Sequence, residues 1–292
     1  MKQWQGISEL VAIADLGTFT AAADSLKISI AQVSRNISEL EQRLNIKLLH
    51  RSTRKVSLTE EGKLYLIHCR NLVEGLNEAN QTLSSLTSTP QGRLKITAPV
   101  FFGESQLAPL LHEFLLRYRG VSLDLELTNA RLDLIQGGFD LAIRIGTLES
   151  SSLIARRLGN RKQSIVGSPA YLKAHGQPEV PSALNKYECL IGSLGHWRLT
   201  NAQGQAITFK PKGRIHCNSG PALLDAALKG LGLVQLPDYY VQQHIQQQSL
   251  IPILEQFKAE DDGIWAVYPE NRHLSAKVKV LVDFLAQRGF GH

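Results

Sequence analysis

Between Ser29 and Gln42 the chain sets Ala31, Arg35, Ser38 and Gln42 three to four residues apart, with Gln32 and Ser34 on their flanks. At about 100° per residue these positions share one face of a helix. Small and hydrogen-bonding side chains around a single Arg are the groups that reach base edges in the DNA major groove. A solvated helix face has the same composition, and spacing alone leaves the two readings level. Charge adds a second observation. Residues 27–55 hold seven cations against two acids, a net +5, whereas residues 1–26 carry one cation and three acids, a net −2. A positive surface on and just after one helix suits phosphate contacts.

Other chemistry finds little footing. No GxSxG elbow, HExxH pair or phosphate-cradling loop occurs, and the nine His are scattered. His196, beside Trp197, reads as structural. Cys69, Cys189 and Cys217 are widely spaced and lack any Cys/His ligand pattern, so no metal site is expected and reduced, mostly buried thiols are the default. Thiol sensing by Cys217, on a strand leading toward a cleft, is weighed against an inert thiol, which is favoured. Neither catalysis nor a cofactor is expected. The 292 residues are 43% apolar and include no apolar run near the roughly 20 residues that span a bilayer. They predict about two globular domains in a cytoplasmic protein with no membrane partner.

The candidate face needs a helix beneath it. Val33, Ile37, Leu40 and Leu44 form the opposite, apolar stripe, and Ser29 can cap its start. A shorter helix opens at Thr18 and runs through Ala21, Ala22 and Ala23, whose small side chains let the second helix approach. Lys27–Ile28 is the turn. Residues 7–16 predict a third helix, with Leu10, Ile13 and Ala14 facing the pair. Asn45 is suited to a left-handed C-cap. Residues 46–49 and 56–58 read as short strands around the basic tip 50–55, a wing that could lay Arg51, Arg54 and Lys55 on the backbone or in the minor groove. Thr59 can cap a long helix reaching about Leu86. Tyr65, Cys69, Leu72, Leu76, Ala79, Leu83 and Leu86 alternate at spacings of four and three along it, a heptad seam that favours a homodimer partner. The Ser/Thr/Pro/Gly cluster at 84–92 marks a linker.

From Arg93 strands alternate with helices. Strands are predicted at 94–99, 122–129, 140–146, 153–159, 162–167, 189–193, 197–199, 206–210, 214–218 and 264–269. Helices are predicted at 104–118, 133–138 and 275–288. This succession predicts an α/β domain with a parallel sheet and helices on both faces. Ligands of such folds bind beyond the carboxyl ends of strands. Pro99–Phe101, Thr128–Asn129, Arg144, Ser193 and Asn218–Ser219 occupy such ends.

The ordered elements Ala21–Leu26, Val33–Glu41 and Leu58–Gly62 resemble the N-terminal signature of LysR-type transcriptional regulators. The stretches 137–146, 152–159 and 223–241 are similar to the effector-binding half of that family. The resemblance covers nearly the whole chain. It implies a winged helix-turn-helix at 1–59, a dimerising linker helix and hinge at 60–91, and a two-lobed, periplasmic-binding-protein-like effector domain at 92–292. Its lobes would be 92–161 with 267–292, and 162–266. Double-stranded promoter DNA, a homodimer, a dimer of dimers and a small-molecule effector are the implied partners, with RNA polymerase a candidate. The DNA contacts would come from Ser29, Ile30, Ala31, Gln32, Ser34, Arg35, Ser38, Arg51, Arg54 and Lys55. The cleft walls would include Pro99, Val100, Phe101, Thr128, Arg144, Ser193 and Asn218. Arg144 and the helix N-termini favour a small anion, with an aromatic body against Phe101. Where the family usually sets Gln and then Pro or Ser at the start of its recognition helix, this chain has Ile30 and Ala31. Ile30 can only make apolar contact, for example with a thymine methyl. Scaffold and phosphate roles therefore carry over, and base preference does not. The alternative is a small-molecule binding protein or enzyme using its N-terminal domain only for assembly.

Overall fold

The computed structural model describes residues 4–51, 56–84, 90–148, 151–270 and 275–291. Three helices open the chain: α1 (Ile7–Leu16), α2 (Phe19–Leu26) and α3 (Ile30–Leu44). Each boundary has a local cause. The Thr18 hydroxyl accepts from Ala21 N–H and the Ser29 hydroxyl from Gln32 N–H, both at 3.1 Å. Asn45 ends α3 in the left-handed conformation at φ 52°. Leu10, Ile13, Ala22, Ala23, Val33, Ile37 and Leu40 are buried together. The strands β1 (Leu49–Arg51) and β2 (Val56–Leu58) pair antiparallel as the wing. Thr59 Oγ1 accepts from Gly62 N–H at 2.9 Å and starts α4 (Glu60–Ser84).

The first turns of α4 correct the expected seam. Leu66 and Cys69 are buried in the α1–α3 core and Tyr65 packs against it. A continuous heptad does not say which of its positions its own chain covers, and here the chain covers the first ones. Burial pushes the Cys69 thiol up to about 11, which makes it inert. Leu72 and Leu76, at 43% and 58% exposure, are where an uncovered stripe begins. Leu86 lies outside the described residues, as do the side chains of Ala79 and Leu83.

After residue 90 two mixed sheets follow. The first contains β3 (Gly92–Ala98), β4 (Val121–Leu127), β5 (Leu141–Ile145) and β6 (Leu153–Arg161). Between β3 and β4 run α5 (Val100–Phe102), a π-turn (Gly103–Leu107) and α6 (Ala108–Arg117). The second sheet contains β7 (Gln163–Gly167), followed by α7 (Pro169–His175), and β8 (Cys189–Ile191). The hairpin β9 (Trp197–Thr200) and β10 (Ala206–Phe209) flanks it. Then come β11 (Ile215–His216), α8 (Gly220–Leu228), β12 (Leu233–Pro237), α9 (Asp238–Gln246) and β13 (Ile251–Ile253). Finally β14 (Asp262–Pro269) returns to the first sheet and α10 (Ala276–Arg288) covers it.

Strand order is β4-β3-β5-β14-β6 in the first lobe and β11-β8-β12-β7-β13 in the second. The expected parallel sheet is corrected by β14, which runs antiparallel to β5 and β6, and by the β12–β7 and β13–β7 pairs. Because β14 pairs from Asp262 onward, residues 262–266 belong to the first lobe's sheet, and the return crossing precedes them. The expected helix at 133–138 is a set of turns: Asp133 caps its start through Ile135 and Gln136 N–H, but the chain turns out of the helix after one turn at Gly138, where φ is 64°. Among the described residues no helix is long and apolar enough to cross a membrane.

Candidate nucleic-acid interface and interlobe cleft

The α3 helix presents two faces of opposite character. Val33, Ile37 and Leu40 are fully buried, whereas Ser29, Ile30, Ala31, Arg35, Ser38 and Gln42 are exposed. Ile30, at 48%, is a large apolar side chain held in solvent at the helix start. Ser38 Oγ donates to the Ser34 carbonyl at 2.9 Å, which seats the Ser38 hydroxyl along the helix. Gln32 departs from its expected role: its amide donates inward to Asn36 Oδ1 at 2.7 Å. Gln5 donates to the same oxygen at 2.8 Å, and Asn36 in turn donates to buried Glu9. Helix α3 is thereby fixed to α1 by a polar network under its first turns.

Glu41 fixes α3 to the wing. Its Oε1 accepts from Leu48 and Leu49 N–H at 2.9 and 3.1 Å, and its Oε2 from Lys47 Nζ at 2.8 Å. Burial pushes its pKa up, but the bonds from Lys47, Leu48 and Leu49 outweigh this and hold it below the usual value. Of the wing's cations, Arg54 and Lys55 lie outside the described residues, as does the side chain of Arg51.

A cavity of about 380 Å³ lies between the two lobes. Pro99, Phe101, Ser193 and Asn218 line it as expected, and Asn129 and Cys217 join them. Val100, Thr128 and Arg144 do not line it. Val100 N–H is taken up by Asn129 Oδ1 at 3.2 Å as α5 begins, and the next residue, Phe101, forms the wall. The Thr128 hydroxyl accepts from Ala130 N–H, closing the turn after β4. Arg144 follows strand alternation: Ile145 faces the cleft, and Arg144 is sent elsewhere to donate to Leu132 O at 3.3 Å. The cationic wall of the cleft is instead Arg161, which is paired with Asp262.

Tyr239 and Tyr240, at the start of α9, were not legible as site residues, although they follow the β12 strand end by the same rule used for the others. Phe101 stacks on Tyr240 with centroids 3.9 Å apart and planes at 14°, joining the lobes through an aromatic contact. Gly220 makes room for it, because a Cβ there would lie 2.4 Å from the Tyr240 ring. Burial pushes both phenols up, so they stay neutral and can donate hydrogen bonds at ordinary pH. Among the described residues no cluster of three metal-ligating side chains occurs.

Comparison with known proteins follows the same division of the chain. The family described as bacterial regulatory helix-turn-helix protein, lysR family, matches residues 4–63, and LysR substrate binding domain matches residues 87–289. An uncharacterized HTH-type transcriptional regulator of Haemophilus influenzae is 34% identical over 281 residues, covering 95% of this chain and 98% of that protein. The full-length Vibrio cholerae virulence activator AphB, a member of the LTTR protein family, aligns with TM-score 0.62 at 28% identity, covering 98% of this chain and 99% of AphB. CrgA, a LysR-type transcriptional regulator from Neisseria meningitidis, aligns with TM-score 0.61 at 31% identity over 97% of each chain.

Proposed function

The chain belongs to the LysR family of transcriptional regulators, and we propose that it reads promoter bases with the exposed face of α3 and holds an aromatic effector against Phe101. Its helix-turn-helix binds DNA and its C-terminal domain binds an effector; the family regulates transcription and is not enzymatic. Arg35 is the principal base reader, with Ser34 and Ser38 beside it and apolar contact from Ile30 and Ala31. The observation that carries this reading is the opposition of a fully buried stripe on α3 to an exposed one centred on Arg35. Arg35→Ala is expected to cost about 1–3 kcal/mol at one base position, with the fold intact. Footprinting and competition binding against the wild-type promoter check this. Equal affinity and equal sequence preference in the variant would remove α3 from the reading role.

The effector reading rests on the Phe101–Tyr240 contact, which an aromatic ligand could replace with one of its own. Ligand binding shifts the DNA-bound assembly only by its differential affinity for two lobe arrangements. Partial neutralisation of Arg161 by Asp262 weakens the case for an anion in this cleft and favours a neutral or weakly acidic aromatic body. The division of labour follows residues 1–59, 60–91 and 92–292, in the cytoplasm and within reach of RNA polymerase.

Dimerisation uses the part of α4 beyond its own domain's core, beginning at Leu72 and Leu76. Each Leu buried in a partner helix is worth about 1.5–3 kcal/mol. Leu76→Ser should therefore weaken self-association at least about tenfold. Sedimentation equilibrium reads this directly. An unchanged association constant would place the dimer interface elsewhere.

A further inference from the structure

On the first lobe, a second hollow of about 390 Å³ opens on the other side of Ile145 from the cleft. Leu132, Leu134, Leu148, Leu153 and Val267 supply an apolar wall, beside polar groups that include Arg131, Thr147 and Ser152. Arg144 is part of the same lining. Its guanidinium carries five donors, and among the described residues the hydrogen bond it makes is the 3.3 Å contact to Leu132 O. Asp133, the acid among the described lining residues, has its Oδ1 turned to Ile135 and Gln136 N–H, both at 2.9 Å. A half-buried cation beside an apolar wall is therefore left with donors to spare.

We propose that this hollow is a second ligand site, which takes a small organic carboxylate whose apolar body lies on the leucines and whose carboxylate meets Arg144. The chemistry is that of a bidentate guanidinium–carboxylate pair in a partly desolvated place. Burial, and then the neighbouring charge of Arg131, push the Arg144 pKa down, and an anion relieves both costs. The location gives the occupant leverage. Ile145 is a wall shared with the interlobe cleft. Leu134, Ile135, Ser152 and Leu153 are shared with an adjoining hollow that Asn71 of α4 closes. A ligand here thus touches residues between the cleft and the linker helix. The inference is independent of what the cleft binds.

The test uses full-length protein with methyl-labelled Leu, Ile and Val, titrated with benzoate and, as the uncharged counterpart, benzamide. Benzoate is expected to shift the methyls of Leu134, Leu148 and Leu153 saturably, and benzamide to bind at least about tenfold more weakly. Arg144→Gln should weaken benzoate about 10–100-fold, with Arg144→Lys in between. Leu148→Trp, which fills part of the hollow while leaving Arg144 itself in place, should block binding, so the proposal does not hang on one variant. Unchanged affinity in Arg144→Gln, shifts confined to cleft methyls such as Leu223 and Leu236, or no saturable shift up to about 20 mM would overturn it.

Discussion

Asp262→Ala is expected to destabilise the effector domain by about 3–5 kcal/mol, the cost of leaving buried charges without their partner. Asp262 begins β14, where the chain returns to the first lobe, and its side chain is 4% exposed. It pairs with Arg161 at the end of β6 and with Arg198 in β9, and it accepts from Gln163 Nε2 at 3.0 Å. Three donors from both lobes and the crossing therefore converge on one carboxylate. Arg198 is 39% exposed and can recover some hydration, which sets the cost toward the lower end. Arg161, at 18%, recovers less. Asp262→Asn keeps the shape and one acceptor and should lose less. Denaturant midpoints of the full chain, followed by near-ultraviolet signal from Trp197 and Trp265, read the effect. A variant within about 1 kcal/mol of wild type would mean that the carboxylate does not hold the lobes.

The same residue sets a pH dependence. Burial pushes the Asp262 pKa up, but Arg161 and then Arg198 outweigh it and the net value is lowered. A depressed folded-state pKa gives stability that is fully present above the unfolded value near 3.9 and is lost as pH falls through the folded value. Acid should thus loosen the wild-type lobes below about pH 4, and Asp262→Ala should remove that part of the acid sensitivity. Because Arg161 is also a cleft wall, the loosened clamp should weaken effector binding at the same pH.

What was legible in the sequence was local. Thr18, Ser29, Asn45 and Thr59 end or start helices by bonds within three or four residues, and the structure places all four as read. The apolar stripe of α3 was equally plain, since period alone assigns it. Misreadings arose where a distant segment decides. The heptad along α4 runs unbroken through Cys69, yet α1–α3 already cover that end. Arg144 stands at a strand end as a cleft residue should, but the parity of β5 gives the cleft to Ile145. Strand direction in the sheets is set by β14, which comes from more than a hundred residues downstream of its partner β5. Tyr239 and Tyr240 gain their meaning only when Phe101 from the other lobe stacks on them.

Glu41→Ala should cost the N-terminal domain about 2–6 kcal/mol and DNA binding with it. The sum follows from two backbone N–H groups, of Leu48 and Leu49, that lose a shared acceptor inside the fold, at about 1–3 kcal/mol each. Lys47 contributes little, being 76% exposed and free to return to water. The consequence reaches past stability. Leu48 and Leu49 lead directly into the wing, so the carboxylate sets the position of β1 relative to α3. Glu41→Gln retains an acceptor oxygen and should recover part of the loss. The sign with pH is again that of a depressed carboxylate: the stabilisation is complete above about pH 4.3 and fades as pH falls through the folded value. The contrast with Arg35→Ala separates reading from scaffolding. Arg35 is exposed, so its loss should change which sequence is bound while the melting transition stays put. Glu41 touches no base, so its loss should weaken all sequences alike and lower the domain's melting transition. Calorimetry of the full chain, run beside competition binding with matched and scrambled promoters, tells the two apart. A Glu41→Ala variant that melts with wild type would show that α3 and the wing are held together by the apolar core alone.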